Sequence, residues 1–159
     1  MHLLESVTIA TLDRWWMKGV RTENPGVWEE GGEKKIAALG VHLRRSISSY
    51  GVGLNIQTDL RWFERIVACG LVGKGVTSMW AMEEARGFSG EDKFKTERPD
   101  LWDLHAESYK NAMCPDLVGL QWVEEFAKRL YGVHEEEKVR RQVGVLKDGE
   151  LQLSDHLSR

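Results

Sequence analysis

The sequence predicts an α+β domain in which a mixed or antiparallel sheet is flanked by helices. Three patterns predict it. Leu3, Leu4, Val7, Ala10 and Trp15 recur at helical spacing near the start. Residues 37–44 and 52–57 alternate apolar with small or polar side chains, the period-two signature of strands with one buried face. A second helical pattern at 121–131 sets Trp122, Phe126 and Leu130 on one face. Helix, hairpin strands and helix in that order suit an α+β layer arrangement.

The elements follow along the chain. The first helix is expected over 3–18, with Lys18 in its last turn and Gly19 ending it. Thr22-Glu23-Asn24-Pro25-Gly26 is a turn. Val27-Trp28-Glu29-Glu30, then Gly31-Gly32, then Lys34 onward predicts a hairpin, because Gly-Gly supplies positive φ. Ala37, Leu39, Val41 and Leu43 form the buried face of a strand that turns at Tyr50-Gly51 into a second strand bearing Val52, Leu54 and Ile56. Thr58-Asp59 caps a short helix over 60–65. A loop with three glycines spans 67–77, and a helix capped by Thr77 or Ser78 follows over 78–86. Residues 87–118, polar and broken by Pro99 and Pro115, read as a long surface insertion. The helix at 121–131 stops at Gly132, and a short hairpin is expected around Lys147-Asp148-Gly149. No internal repeat occurs.

Composition narrows the classes of function. The 159 residues suffice for one domain with a real core, and 42% hydrophobic and 30% charged residues are ordinary for a globular chain. A net charge of -3 argues against a nucleic-acid partner. No apolar run is long enough to span a bilayer, so no membrane partner is expected. Two cysteines, Cys69 and Cys114, make no disulfide framework and point to a reducing compartment. No His, Cys or carboxylate spacing suits a metal, and no phosphate loop is present, so no metal and no cofactor are expected. The seven tryptophans are scattered, as packing residues are, and the five histidines stand in unrelated contexts. The first residues run directly into a helical pattern, so no signal or transit peptide is expected within them.

Three features carry chemistry. Cys69 ends an apolar run and precedes Gly70, which suits a thiol that meets a substrate and equally a small buried hydrophobe. Lys35 opens the strand Ile36-Ala37-Ala38-Leu39-Gly40; it either reaches along a pocket wall or is a solvated hairpin lysine. Ala38-Leu39-Gly40 and Gly51-Val52-Gly53 leave backbone bare on adjacent strands, which permits close approach of an extended apolar ligand or marks a tight bend.

Together these pieces are more specific. Pro25-Gly26-Val27-Trp28, Lys35-Ile36-Ala37-Ala38-Leu39-Gly40, Gly51-Val52-Gly53-Leu54-Asn55-Ile56, Thr58-Asp59-Leu60, Ala68-Cys69-Gly70-Leu71 and Val76-Thr77-Ser78 follow in order. The chain closely resembles the lipoyl(octanoyl) transferases of the biotin/lipoate protein ligase superfamily. The match covers about residues 1–86 and is densest over 25–78. Ala68 stands where the family often has proline, Tyr50 where it often has histidine, and Gly53 where it has alanine. Nothing corresponds to the family's Arg-Gly-Gly and His-Gly-Pro-Gly-Gln region, so the resemblance implies the C-terminal part of a single catalytic domain, with a loop insertion at 87–118.

The resemblance also implies an activity. Members move an octanoyl group from acyl carrier protein to a lysine of lipoyl domains, those of the 2-oxoacid dehydrogenase complexes and the glycine cleavage H protein. By motif, the catalytic pair is Cys69 and Lys35, with acyl-chain contacts at Ala38, Leu39, Gly40, Gly51, Val52 and Gly53. Eukaryotic members work in mitochondria, which sets the expected location. The alternatives are a catalytically inactive fragment of such an enzyme and an ATP-dependent lipoate ligase.

Overall fold

A computed structural model describes residues 1–45, 47–65, 73–87, 89–97, 99, 113–131, 146–147 and 150–151. Helix α1 (His2–Asp13) leads to strands β1 (Gly19–Val20) and β2 (Val27–Glu29), then to the long hairpin of β3 (Lys34–Arg44) and β4 (Ile47–Leu54). A 3-10 helix (Leu60–Arg65) follows, then β5 (Gly75–Val76), α2 (Met79–Ala85), α3 (Ser89–Glu97) and α4 (Pro115–Tyr131). Strands β6 (Leu146–Lys147) and β7 (Glu150–Leu151) pair antiparallel, the hairpin expected around residue 148.

The main sheet has five strands in the order β1-β2-β3-β4, all antiparallel, with β5 parallel to β3. It is the mixed sheet with flanking helices that the sequence predicts. Lys34 and Lys35 pair with Gly75 and Val76, while β3 from Ala37 onward pairs with β4. Because Lys35 pairs with Trp28 at its other edge, β5 occupies the edge of β3 that β4 takes farther along. Between Val27 and Trp28 the register shifts: one step along β2 answers two steps along β3. Such a bulge re-aims the side chains beside it, here at Lys35.

The core lies where α1, α4 and the base of the sheet meet. Leu12, Trp15, Met17, Val27, Met79, Met113 and Val118 are buried there. Consecutive Ile36 and Ala37, at the bulge, are both fully buried and both belong to this core. Buried polar groups tie the two long helices together. Trp122 Nε1 donates to Thr8 Oγ1 at 3.0 Å, Trp15 Nε1 to Gln121 Oε1 at 2.7 Å, and Arg14 pairs with Glu124 at 2.9 Å. These bonds satisfy groups that would otherwise destabilise the interior.

Several elements depart from the sequence reading, each for a physical reason. Helix α1 stops at Asp13 and not at Gly19. Trp16 enters the left-handed region at φ 55°, and the Leu12 carbonyl accepts from both Trp15 and Met17 N–H, closing the helix early. Gly19 instead begins β1, pressed against Leu12 and Val27. The β3–β4 turn falls at Arg45, at φ 49°, and not at Tyr50-Gly51, which lie within β4. The expected buried face of β3 holds only at its base, for Val41 and Leu43 are 45% and 72% exposed. Helix α4 reaches the hairpin as far as Tyr50, whose ring lies 5.7 Å from that of Phe126, and still leaves Val41 and Leu43 exposed.

The glycine-bearing loop returns to the sheet at Gly75–Val76 as a strand. Within the stretch read as an irregular insertion, 89–97 is helical. Pro115 begins α4, six residues before the expected start, with a ring that suits a first helical turn. Leu117, Val118, Gln121, Glu124 and Ala127 are the buried positions of α4, whereas Leu130 is 48% exposed. Other expectations hold. Gly32 takes φ 68° in the β2–β3 turn, Asp59 Oδ1 accepts from Arg61 N–H at 3.1 Å, and Ser78 Oγ caps α2 by accepting from Ala81 N–H at 3.1 Å. Residue 132 lies outside the described residues.

Candidate active site

Lys35 is the best-defined member of the site. It is half-buried at the start of β3, between β2 and β5. Its Nζ stands 4.8 Å from the centroid of the Trp28 ring, the distance of a cation–π contact. Trp28 is buried, and its Nε1 donates to the Asn24 carbonyl at 3.0 Å, which fixes the plane of the ring. On another side lies Gly26, at φ 126°. A Cβ at Gly26 would sit 2.7 Å from the Ala37 carbonyl oxygen and 3.1 Å from Lys35 Cε; the positive φ and the backbone oxygen require glycine, and its bare backbone leaves room for the lysine stem. Buried Glu5 of α1 accepts from Gly26 N–H at 3.3 Å and holds that wall in place. The lysine is therefore a seated side chain and not a freely solvated hairpin lysine.

The backbone around Lys35 is bound on its far edge as well. Thr77 N–H donates to the Lys35 carbonyl at 2.9 Å, and Gly75 N–H to the Glu33 carbonyl at 3.0 Å. Asn55, just past β4, joins three segments. Its N–H donates to the Ile36 carbonyl at 3.0 Å, its Nδ2 to the Thr77 carbonyl at 3.0 Å, and its own carbonyl accepts from Met79 N–H at 2.9 Å. The motif Gly-Val-Gly-Leu-Asn thus locks β3, β4 and the entry to α2 together. Cys69 lies outside the described residues. Its flanks are described: the 3-10 helix ends at Arg65, and β5 begins at Gly75 beside Lys34.

The small residues of the two long strands meet across the hairpin. Ala38 pairs with Gly53 and Gly40 with Gly51, while Leu39 pairs with Val52. Strand alternation puts Ala38, Gly40, Gly51 and Gly53 on one face and Leu39 and Val52 on the other. A Cβ at Gly40, Gly51 or Gly53 would meet nothing within 4 Å, so that face is an open shelf of bare backbone. The opposite face turns toward α4, where Val52 and Leu54 pack on the core. An apolar cleft of about 430 Å³ lies there, between Tyr50, Val52 and Leu54 of β4 and Val118, Trp122 and Val123 of α4. Four of the six expected acyl-contact residues therefore share a face, and two do not.

Some contributors were not singled out as site residues in the sequence. Trp28, Gly26 and Asn55 were visible only as parts of motifs, and Glu5 gave no signal of its own, because their roles depend on contacts with distant segments. Cys114, half-buried, packs against the core. Among the described residues, no group of three or more His, Cys, Asp or Glu is placed to hold a metal, and no helix is long and apolar enough to cross a membrane.

Comparison with known proteins connects this geometry to a family. The pattern described as the lipoyl protein ligase A/B catalytic domain matches residues 1–88, more than half of the chain. The chain belongs to that family. Within the family domain fall Lys35, its Trp28 and Gly26 walls, Asn55, both long strands and Cys69. The chain is similar to the mitochondrial octanoyl-acyl-carrier-protein:protein N-octanoyltransferase of Danio rerio, 45% identical over 76 residues that cover 48% of this chain and 33% of that protein. It is 44% identical over 84 residues to the Homo sapiens protein of the same name, covering 50% of this chain and 36% of that protein. It is 48% identical over 88 residues to the octanoyltransferase of Sinorhizobium medicae, covering 48% and 34%. The chain thus spans about a third of the length of these relatives. Helix α4, which supplies half of the apolar cleft, lies beyond the matched residues.

Proposed function

We propose that the chain carries the acyl-transfer chemistry of octanoyltransferases, moving an octanoyl group from acyl carrier protein to a lysine of a lipoyl domain through a Cys69 thioester. The observation that carries this reading is the seat of Lys35: a lysine held by Trp28 and Gly26, on the strand beside which the chain returns directly after the Cys69 segment. The names of the similar proteins supply the acyl group and the carrier. Lipoyl domains of 2-oxoacid dehydrogenase complexes and the glycine cleavage H protein are the acceptors in this reading, and the mitochondrion is its location.

The chemistry balances without ATP. An ammonium near a thiol favours the thiolate. The Cys69 thiolate attacks the thioester carbonyl, a new C–S bond forms, and the carrier leaves as its thiol after taking up a proton. One thioester replaces another at nearly equal free energy. The acceptor lysine, as a neutral amine, then attacks the Cys69 thioester; the C–N bond forms, the C–S bond breaks, the amine proton passes to neutral Lys35 or a second amine, and the Cys69 thiolate is released. In this reading, backbone N–H groups near Gly70 and Leu71 serve the oxyanion of each step. The acyl chain lies along the open shelf of Ala38, Gly40, Gly51 and Gly53, where no side chain obstructs an alkyl chain. Leu39 and Val52 contribute from behind the shelf, where Val52 packs on the core beside α4.

Mass spectrometry after mixing with octanoyl-acyl carrier protein tests the reading. A single octanoyl adduct on Cys69, discharged by a lipoyl domain without ATP, is expected. An adduct that persists in Cys69→Ser, or transfer that requires ATP, would sink it. A second reading, a fragment without activity, is favoured by the exposed apolar side chains Val41, Leu43 and Ile47 on the hairpin. A folded chain that forms no adduct would select it.

A further inference from the structure

Lysine has a flexible four-carbon stem, and a lysine that serves a thiol must be held within reach of it. The stem of Lys35 passes over Gly26, where only glycine fits, and its ammonium ends on the face of Trp28. The ring is itself immobilised by burial and by its bond to Asn24. The quadrupole of an indole attracts a cation and not a neutral amine. A merely space-filling aromatic would not need its face turned to the charge.

We propose that Trp28 is a positioning residue for Lys35, holding the ammonium in one place through the electrostatic attraction of its ring face; this role in transfer rests on the transferase reading above. Gly26 completes the seat by leaving the stem the space that a Cβ would take. Trp28 does not touch substrate in this scheme. It acts through Lys35, so its removal lowers the rate of the chemical step and leaves carrier binding alone.

Site-specific replacement of Trp28 by tryptophans bearing one to four ring fluorines tests this directly, because fluorination drains the ring face of charge while keeping its shape. The expected result is a stepwise fall in kcat, reaching about tenfold, with unchanged KM for octanoyl-acyl carrier protein and an unchanged Tm. Trp28→Phe should retain more activity than Trp28→Leu. A second readout does not use activity: the ε-methylene protons of Lys35, assigned by their loss in Lys35→Arg, should be shifted upfield by the ring and return to ordinary values in Trp28→Leu. A flat fluorination series, or an ε-methylene signal identical in the unsubstituted chain and a folded Trp28→Leu, would overturn the proposal. An upfield shift in a chain that transfers no acyl group would reject the transferase reading and the role in catalysis with it. Full transfer with no shift would reject the positioning role alone.

Discussion

The Lys35 carbonyl accepts a hydrogen bond from Thr77 N–H at 2.9 Å, and the Thr77 carbonyl accepts one from Asn55 Nδ2 at 3.0 Å. Thr77 thus lies between two segments far apart in sequence and fixes both. Removing the Asn55 amide by Asn55→Ala leaves the largely buried Thr77 carbonyl without that donor, and should cost about 1–3 kcal/mol. Chemical denaturation measures the loss. Amide exchange should accelerate at Thr77 and Met79 before it does in α1. Equal exchange throughout would mean that Asn55 is not the link.

Gly26→Ala is expected to be damaging out of proportion to its size. The residue has φ 126°, and the new Cβ would press on the Ala37 carbonyl and on Lys35 Cε. Strain of this kind costs about 1–3 kcal/mol. Because backbone lies on one side and the lysine on the other, the lysine is the group that moves. Acyl transfer should fall further than Tm suggests, which paired activity and melting measurements will reveal.

Gly51→Val tests the shelf. Its Cβ would meet nothing within 4 Å, and its backbone is ordinary strand, so stability should change by no more than about 0.5 kcal/mol. The branched side chain would stand on the face proposed for the acyl chain. Transfer from octanoyl carrier protein should weaken, while a shorter acyl donor is less affected. Equal effects on short and long donors would remove the shelf from the acyl path.

Glu83 is fully buried in α2 and pairs with Arg86, whose Nη1 also donates to the Trp16 carbonyl at the end of α1. Arg86→Met would take an ion-pair partner from a buried carboxylate and lose the contact with the Trp16 carbonyl, and should destabilise by up to about 3–5 kcal/mol. Glu83→Gln combined with Arg86→Met should recover part of the loss, since no charge is then buried. A double variant as unstable as the sum of the singles would show that the charges do not act together.

Asp59 offers a test at acid pH. Its hydrogen bonds from the Arg61 side chain and backbone pull its pKa down to about 2. A carboxylate depressed in the folded state stabilises above its unfolded pKa, near 3.9, and loses that contribution as pH falls through the folded value. The cap of the 3-10 helix should therefore survive at pH 3.5 and fail near pH 2. NMR titration of the Asp59 carboxyl carbon gives the value, and in Arg61→Ala it should return toward 4.

What sequence alone decided is local or ordered along the chain. Gly-Gly at 31–32 marks the β2–β3 turn because backbone without Cβ takes positive φ cheaply, and Gly32 does so. Ser78 caps α2 because a short hydroxyl side chain reaches the third N–H beyond it. The order of the Lys35, Gly51-Val52-Gly53 and Cys69 motifs led to the family, since such an order is independent of any contact. Tertiary structure alone decided the rest. Tyr50-Gly51 resembles a turn but lies in β4, because Gly51 gains a cross-strand partner in Gly40. Val41 and Leu43 alternate as core residues do, yet stay exposed at the outer part of the hairpin, where α4 touches only Tyr50 beside them. The seat of Lys35 needed Trp28 across the strand, Gly26 at its foot and Glu5 from α1, groups that only folding brings together. Periodicity reports which residues can be buried or paired; the long-range contacts settle which ones are.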